Sequence, residues 1–475
     1  MRFRRHICAL ICLGCLLPTW GSTLAAERET ALDVYVHAAD SHYQYQLVEK
    51  TAHSGCKEFL IRMTSQEWRS PAEVNQSVWK HWVRIYIPDT VTSSIAMVYI
   101  LGGSTSEEHP RPDDKLATLA TVSQSVVSEV FDVPNEPLIF VDDPYGPRKE
   151  DEIIAYSWRK FLDTGDSTWP LRLPMTKAAV RAMDTVTSFA ASKKGGGHRV
   201  DRFVVVGASK RGWTTWTTAA VDPRVVAIVP MVIDALHVVP SFEHHYRSYG
   251  FWAPAVKNYF DEHLMDNLSG EAFQKLMDIE DPYSYRERFT MPKLIVNASG
   301  DQFFLPDSSR FYFDELPGEK HLLYEANADH SLHDTDVDFS IAAFYLSVLK
   351  GGERPNLEWT FDADGSIRVT TNRTPVEVTL WQSTNPNHRD FRVEAIGRSY
   401  QETALAAESS GVYVARVPTP TKGWTAFFVE ATFAGEGKYP FKLTTAVRVL
   451  PDVEPYALPE KEKMKLQMKS DAADY

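Results

Sequence analysis

Residues 203–212 read Phe-Val-Val-Val-Gly-Ala-Ser-Lys-Arg-Gly and constrain the fold more than any other segment. The β-branched run predicts a buried strand, and it stops at Gly207. Ser209 follows, and a helix-like pattern begins directly after it. A serine between a buried strand and a helix N-terminus is exposed at the edge of a parallel sheet, where it can serve as a nucleophile. The segment therefore predicts a parallel sheet and requires partner groups for Ser209 elsewhere in the chain.

Other short apolar segments predict the remaining strands of this sheet. They are residues 82–87, 94–101, 138–141, 203–206, 226–232 and 293–297. Helix-like patterns at 177–191 and 339–349 lie among them. Fully apolar strands that alternate with helices are typical of a doubly wound, mostly parallel sheet. In such a sheet, functional residues gather in the loops after the carboxyl ends of the strands.

Two long connections interrupt this pattern, at 144–176 and 235–290. We expect the aromatic-rich second connection to form a helical cap over the site, with a solvent-facing decoration as the alternative. Trp158 and Trp169 in the first connection and Trp252 in the second are candidate substrate-binding residues. For the first two, packing against the sheet is an equal alternative.

The pattern of apolar and polar residues changes after residue 352. Alternating strands at short spacing predict a separate β-sandwich over residues 353–450, after an α/β domain over 26–352. Residues 451–475 form a charged tail.

A serine nucleophile needs a base and a group that orients the base. Asp301 follows an apolar strand in a Gly-Asp pair and is the candidate acid; the alternative role is a helix cap, and Asp234 is the reserve acid. His330 is the candidate base, with His333 as its nearest competitor. The order serine, acid, histidine is that of the α/β-hydrolase fold, which we therefore predict.

Stabilisation of an oxyanion would come from backbone N–H groups. The candidates are that of Lys210 and one near Gly103 or Ser104 in the glycine loop after the strand at 94–101. Here Arg211 stands where G-x-S-x-G has glycine, and Gly212 comes one residue later. This form resembles glucuronoyl esterases, in which an arginine directly after the serine assists the oxyanion, and Lys210 matches that position. Lys210 or Arg211 would then augment the oxyanion hole or bind an acidic group of the substrate; the alternative is a structural salt bridge.

No cofactor or metal is expected. The candidate base and three residues near it form a compact set of metal-ligand types, but no second cluster accompanies them: His330, His333, Asp334 and Asp336. The net charge of -13 argues against a nucleic-acid partner, because such binding needs clustered Lys and Arg. The substrate, a small molecule or a peptide, and the oligomeric state stay open.

The N-terminus predicts export. Arg2, Arg4 and Arg5 precede an apolar segment at 7–17 and small residues near 23–26, which is typical of a signal peptide over 1–25, with a retained anchor as the alternative. The mature protein would be periplasmic or secreted. It would keep Cys56 alone and form no internal disulfide. No later stretch approaches about 20 apolar residues, so no stable membrane span is expected.

Several segments together resemble the PhoPQ-activated pathogenicity-related protein family. The specific ones are Trp169-Pro-Leu-Arg-Leu-Pro-Met-Thr-Lys177 and Ser209-Lys-Arg-Gly-Trp213; residues 100–103, 150–158, 182–184 and 300–307 add to them. The resemblance implies an exported α/β-hydrolase-like protein, associated in bacteria with virulence or envelope stress, and supplies no substrate. Two hypotheses follow. The first is an exported serine hydrolase, esterase or peptidase-like. The second is a catalytically silent hydrolase fold that acts as a secreted binding or signalling protein.

Overall fold

A computed structural model describes residues 29–105 and 109–459. The predicted signal peptide at 1–25 and residues 460–475 of the charged tail lie outside the described residues. Within the described ranges, the helices are all too short or too polar to cross a lipid bilayer.

A large central sheet organises the chain up to residue 325. Its strands are β1 (Gln44–His53), β2 (Cys56–Glu67), β3 (Val78–Pro88), β4 (Ile95–Ile100), β5 (Val127–Val130), β6 (Arg202–Ala208), β7 (Val225–Met231), β8 (Lys293–Ala298) and β9 (Lys320–Glu325). They are ordered β1-β2-β3-β5-β4-β6-β7-β8-β9. The strands from β5 to β9 in this order are parallel, and β1 to β3 are antiparallel.

The order reverses around β4, which has β5 on one side and β6 on the other. Loops that follow strands on either side of such a switch point diverge and leave a crevice for a ligand. The glycine loop follows β4 and Ser209 follows β6, so both lie at this crevice.

Helices cover both faces of the sheet. They are α1 (Ala31–His37), α2 (Asp114–Ser123), α3 (Asp151–Thr164), α4 (Arg172–Ala191), α5 (Lys210–Val221), α6 (Val238–Tyr249), α7 (Lys257–Asp261), α8 (Glu271–Glu280) and α9 (Val337–Lys350). Phe203 and Val205 of β6 join the core that includes α4 and α5, whereas Val204 and Val206 join the core that includes α2 and α9. Because both faces of β6 are buried, its sequence is a continuous apolar run. The fold is that of an α/β-hydrolase.

The insertion between β7 and β8 is helical. It contains α6, α7, α8 and 3₁₀ turns at Pro254–Val256, Leu264–Asn267 and Pro282–Arg288. Tyr249 at the end of α6 packs with Leu305, which lies in the loop that carries Asp301. The insertion therefore contacts the loop of the candidate acid.

The C-terminal β region continues the central sheet. Its elements are β10 (Leu357–Phe361), β11 (Ile367–Thr371), β12 (Glu377–Asn385), α10 (Val393–Ile396), β13 (Gln401–Ala404), β14 (Val412–Ala415), β15 (Trp424–Ala434), β16 (Pro440–Thr444) and β17 (Arg448–Leu450). Strands β10, β11 and β14 form one layer; β16, β15, β12 and β13 form the other. β16 also pairs with β9, through Thr444 and Leu322, so this layer extends the hydrolase sheet instead of standing apart from it.

One strand prediction is wrong. Residues 138–141 form isolated bridges only, and the position beside β4 belongs to β5. β5 was missed because it contains Ser128 and Glu129, both buried. Ser128 donates to the carbonyl oxygen of Met97 at 2.8 Å, and Glu129 lies 3.8 Å from Arg84. Buried polar groups with such partners are tolerated in a strand but hide its apolar pattern.

Candidate active site

Ser209 occupies the turn between β6 and α5. Its φ of 56° is one that residues with side chains rarely adopt. Glycines make the turn sterically feasible: a Cβ at Gly207 would lie 2.5 Å from the carbonyl oxygen of Arg211. A Cβ at Gly212 would lie 2.7 Å from the carbonyl oxygen of Met231, at the end of β7. Glycine is therefore needed at position 212, where α5 meets β7, and position 211 accommodates a long side chain.

Three side chains form one hydrogen-bonded chain at this turn. Oγ of Ser209 lies 2.8 Å from Nε2 of His330, and Nδ1 of His330 lies 2.8 Å from Oδ2 of Asp301. Oδ1 of Asp301 accepts the backbone N–H of Phe303 at 2.7 Å. Asp301 is buried, and Ser209 and His330 are half-buried. In this arrangement a base can take the serine proton while a fixed carboxylate orients the base.

Two aromatic rings border His330. The ring centres of Phe303 and Phe304 lie 4.4 and 5.9 Å from that of the imidazole. Gln302 accepts the backbone N–H of His330 at 3.1 Å. The acid loop thus supplies the carboxylate and part of an apolar wall, and such a wall strengthens the electrostatic interactions of the imidazole.

Lys210 is buried beside the nucleophile. Its Nζ lies 2.8 Å from Asp151, 3.2 Å from Glu150 and 3.5 Å from Oγ of Ser209. As the first residue of α5, Lys210 also has a backbone N–H without an intrahelical acceptor. Lys210 therefore offers two groups that favour negative charge near Oγ, a backbone N–H and an ammonium.

Arg211 is bonded to Glu150 and Val133 and packs against the glycine loop. Its two terminal nitrogens lie 2.9 and 2.6 Å from the carboxylate of Glu150, and its Nε donates to the carbonyl oxygen of Val133 at 2.7 Å. A Cβ at Gly102 would lie 1.9 Å from the guanidinium. These contacts occupy Arg211 within the protein, so its geometry is that of the structural salt bridge.

The other oxyanion candidates lie in the glycine loop. Gly103 has a φ of 139°, and a Cβ there would lie 2.6 Å from the carboxylate of Asp132. Ser104 Oγ donates to the carbonyl oxygen of Glu136 at 3.5 Å. Because Gly102 contacts Arg211, the loop lies beside the elbow.

Two carboxyl groups, those of Glu136 and Glu150, lie near the cations of Lys210 and Arg211. Oε2 of Glu136 accepts the backbone N–H of Glu150 at 2.8 Å. Burial and the nearby Glu150 raise the pKa of Glu136 to about 7. Burial opposes ionisation of Glu150, but Arg211 and Lys210 lower its pKa overall. Glu150 is thus an anion shared by both cations, and Asp151 is the second partner of Lys210.

The alternative candidates lie elsewhere. Asp234 is buried with its carboxylate 2.6 Å from the hydroxyls of Tyr312 and Tyr324. His333 is exposed, and Asp336 lies 2.8 Å from Lys442. In the described part of the chain, His, Cys, Asp and Glu side chains form no group of three or more that suits a metal ion.

The three tryptophans pack within the protein. Trp158 is fully buried and contacts the rings of Trp213 and Phe273. Trp169 is 4% exposed, with the guanidinium of Arg69 3.9 Å from its ring centre. Trp252 is half-buried and stacks on a histidine of α6, His245. None has a contact to Ser209, His330 or Asp301 among those described.

Sequence reasoning missed the anions at the start of α3, Glu150 and Asp151. The available signal was the two adjacent cations after the nucleophile, which need counter-charges when buried. It also missed Phe303 and Phe304, whose position two and three residues after the acid was visible.

The mostly parallel sheet, its covering helices and the strand–turn–helix at Ser209 place this protein in the α/β-hydrolase fold class. The family described as PhoPQ-activated pathogenicity-related protein matches residues 32–392, and the chain belongs to that family. Autocrine proliferation repressor protein A of Dictyostelium discoideum is 36% identical over 465 residues, which cover 92% of this chain and 93% of that protein.

Solved esterases are more distant. An acetyl xylan esterase from Paenibacillus sp. R4 has a TM-score of 0.48 at 15% identity, covering 67% of this chain and 92% of the esterase. Acetyl xylan esterase 1 from Thermoanaerobacterium sp. JW/SL YS485 has a TM-score of 0.45 at 17% identity, covering 67% and 91%. Likenesses this weak transfer neither an activity nor a substrate.

Proposed function

We propose that this protein is a serine hydrolase that cleaves a carboxylic ester or peptide bond through an acyl-enzyme intermediate. The observation that carries the proposal is the hydrogen-bonded chain of Ser209, His330 and Asp301 at a strained turn. A buried carboxylate that orients a histidine toward a half-buried serine is the arrangement that activates a hydroxyl.

In the acylation step, Oγ of Ser209 attacks the carbonyl carbon and its proton passes to Nε2 of His330. The carbonyl oxygen becomes an oxyanion, which the backbone N–H of Lys210 and an N–H near Gly103 or Ser104 stabilise. As the intermediate collapses, the bond to the leaving group breaks and His330 returns the proton to that group. Water then attacks the acyl-enzyme by the same route and releases the carboxylic acid and Ser209.

The ammonium of Lys210 adds a fixed charge to this step. It is held by Asp151 and Glu150 and lies 3.5 Å from Oγ. Because both anions already balance it, we propose that it stabilises charge developing at the nucleophile rather than binding an acidic group of the substrate. Arg211 has a structural role, since Glu150 and Val133 hold its guanidinium beside the glycine loop.

The direct test is labelling with a fluorophosphonate probe followed by mapping of the adduct. We expect an adduct on Ser209 that is lost in Ser209→Ala and His330→Ala. The control is Ser331→Ala, which removes an exposed hydroxyl near His330. A folded wild-type protein that stays unlabelled would refute the hydrolase.

We also propose that the segment at 1–25 is a signal peptide, which directs export of the protein and is then cleaved. The basic residues and apolar run of that segment support this, as does the family's association with pathogenicity. Mass spectrometry of the N-terminus of protein collected outside the cytoplasm tests it. A chain that starts at Met1, or protein confined to the cytoplasm, contradicts it.

A second candidate is a secreted signalling protein. The name of the 36%-identical relative, an autocrine proliferation repressor, favours it. Purified wild-type protein and Ser209→Ala would be added to cultures of the producing cells. Equal growth repression by both proteins supports signalling without catalysis, whereas repression by the wild type alone ties any such effect to Ser209.

A further inference from the structure

The C-terminal β region crosses the two loops that carry the candidate acid and base. Its crossing segment, residues 389–400, lies between β12 and β13. We call residues 299–307 the acid loop and residues 326–334 the histidine loop. Contacts from the crossing segment reach both loops.

The first contact is at the start of the acid loop. The backbone N–H of Val393 donates to the carbonyl oxygen of Gly300 at 2.9 Å. A Cβ at Gly300 would lie 2.5 Å from Cγ2 of Val393. Gly300 directly precedes Asp301, so the C-terminal region fills the space beside the residue that leads into the acid.

The second contact is with the histidine loop. The side chain of Asn327 donates to the carbonyl oxygen of Tyr400 at 2.9 Å and accepts the backbone N–H of Tyr400 at 2.8 Å. The backbone N–H of Asn327 also donates to Oγ of Ser299 at 3.0 Å. One side chain therefore ties the C-terminal region to the histidine loop, while its backbone ties that loop to the acid loop.

The third contact is at the far end of the acid loop. Arg389, 1% exposed, lies 2.6 Å from the carboxylate of Asp307. His244 of α6 lies 3.0 Å from the other oxygen of that carboxylate. Burial opposes ionisation of Asp307, yet the charges of Arg389 and His244 hold its pKa well below the usual range. A buried charge pair with such geometry resists displacement, because moving either partner leaves a charge unpaired.

We infer that the C-terminal β region is part of the active-site scaffold, and that Arg389, Val393 and Asn327 are positioning residues for Asp301 and His330. The inference rests on the proposed hydrolase function. The acid loop is held at both ends, at Gly300 by Val393 and at Asp307 by Arg389. Misplacement of a catalytic group by about 1 Å can lower a rate by about 100-fold, so loosening either end is expected to reduce reaction at Ser209.

The test measures the rate of fluorophosphonate labelling in Arg389→Met and Asn327→Gly. Glycine at 327 suits the backbone, whose φ is 59°, and deletes only the two side-chain hydrogen bonds. Asn327→Asp keeps the acceptor for Tyr400 and serves as the conservative variant. Arg416→Met is the matched control, since it breaks an ion pair with Glu408 in the same region.

We expect labelling of the folded fraction to fall at least about 10-fold in Arg389→Met and Asn327→Gly. Asn327→Asp should recover part of the rate, and Arg416→Met should match the wild type. Wild-type rates in the folded variants overturn the inference.

Hydrogen–deuterium exchange of the same proteins separates this inference from the proposed function. If the wild type itself does not label, the hydrolase proposal fails, and exchange decides the scaffold. Faster exchange confined to the acid and histidine loops in the two variants then supports it. Exchange in both loops equal to that of the wild type overturns it.

Discussion

The ammonium nitrogen of Lys210 lies 3.5 Å from Oγ of Ser209 and 2.8 Å from the carboxylate of Asp151. Asp151 holds the ammonium of Lys210 beside Ser209, and Asp151 itself does not take part in the reaction. A fixed charge in a site shielded from water acts without reorganising as the reaction proceeds, which makes it more effective than a solvated charge.

Replacing Lys210 by methionine removes this charge and keeps the apolar stem. We expect fluorophosphonate labelling at Ser209 to slow about 10- to 100-fold, somewhat less than for a lost backbone donor of an oxyanion hole. Asp151 keeps a partner, the hydroxyl of Tyr259 at 2.8 Å, so the fold should survive. Lys194→Met, at an exposed site, is the control. A Lys210→Met protein that labels at the wild-type rate would remove Lys210 from the mechanism.

Replacing Arg211 by methionine should act mainly on stability. The change deletes two hydrogen bonds to Glu150 and one to Val133, and Glu150 retains Lys210. Hydrogen bonds to charged groups contribute roughly 1.5–3 kcal/mol each when buried, but Glu150 is partly exposed, so we expect a loss of about 2 kcal/mol in total. Urea unfolding measures it. An unfolding free energy equal to that of the wild type would mean that these hydrogen bonds do not support the fold.

The strain at the nucleophile predicts a difference between two variants that both lack Oγ. Glycine adopts a φ of 56° without strain and alanine only at a cost, so Ser209→Gly should be more stable than Ser209→Ala by about 1 kcal/mol. Neither should react with the probe. Paired urea titrations compare their free energies of unfolding, and equal values would show that the turn is unstrained.

The elbow and its partners were within reach of the sequence because they depend on local patterns. An apolar run that ends in glycine specifies the strand and turn around Ser209, and the chain order of Asp301 and His330 follows the sheet. The counter-charges of Lys210 could not be predicted from the sequence. Glu150 is far from Lys210 in the chain, and tertiary packing at the start of α3 brings it near. The pairing of β16 with β9 could not be predicted either, because a pairing between strands distant in the chain has no local sequence pattern.

Asp234 predicts a pH dependence of stability. Burial raises its pKa to about 7 from an ordinary value of 3.8, despite hydrogen bonds from Tyr312 and Tyr324. The folded state then holds a proton that the unfolded state releases between these values, so this group stabilises the fold at low pH and loses its contribution as pH rises toward 7 and above.

Asp234→Asn removes this titration. We expect its free energy of unfolding to fall less between pH 5 and pH 8 than that of the wild type, as measured by urea unfolding at both values. Asp114→Asn, at an exposed site, should keep the wild-type difference. If Asp234→Asn also keeps that difference, Asp234 is ionised in the folded protein.

The contact between Gly300 and Val393 predicts a compensating pair of substitutions. A methyl group at Gly300 would lie 2.5 Å from Cγ2 of Val393, too close for any unstrained contact, and Asp301 is the next residue. Gly300→Ala should therefore displace the acid loop and slow labelling of Ser209 at least about 10-fold. Val393→Ala deletes the clashing methyl group, so the double variant should label faster than Gly300→Ala alone. Recovery is expected to be partial, because the carbonyl oxygen of Ala328 would still lie 3.1 Å from the new methyl group. A double variant no faster than Gly300→Ala, with both proteins folded, would show that the C-terminal region does not set the position of Asp301 through this contact.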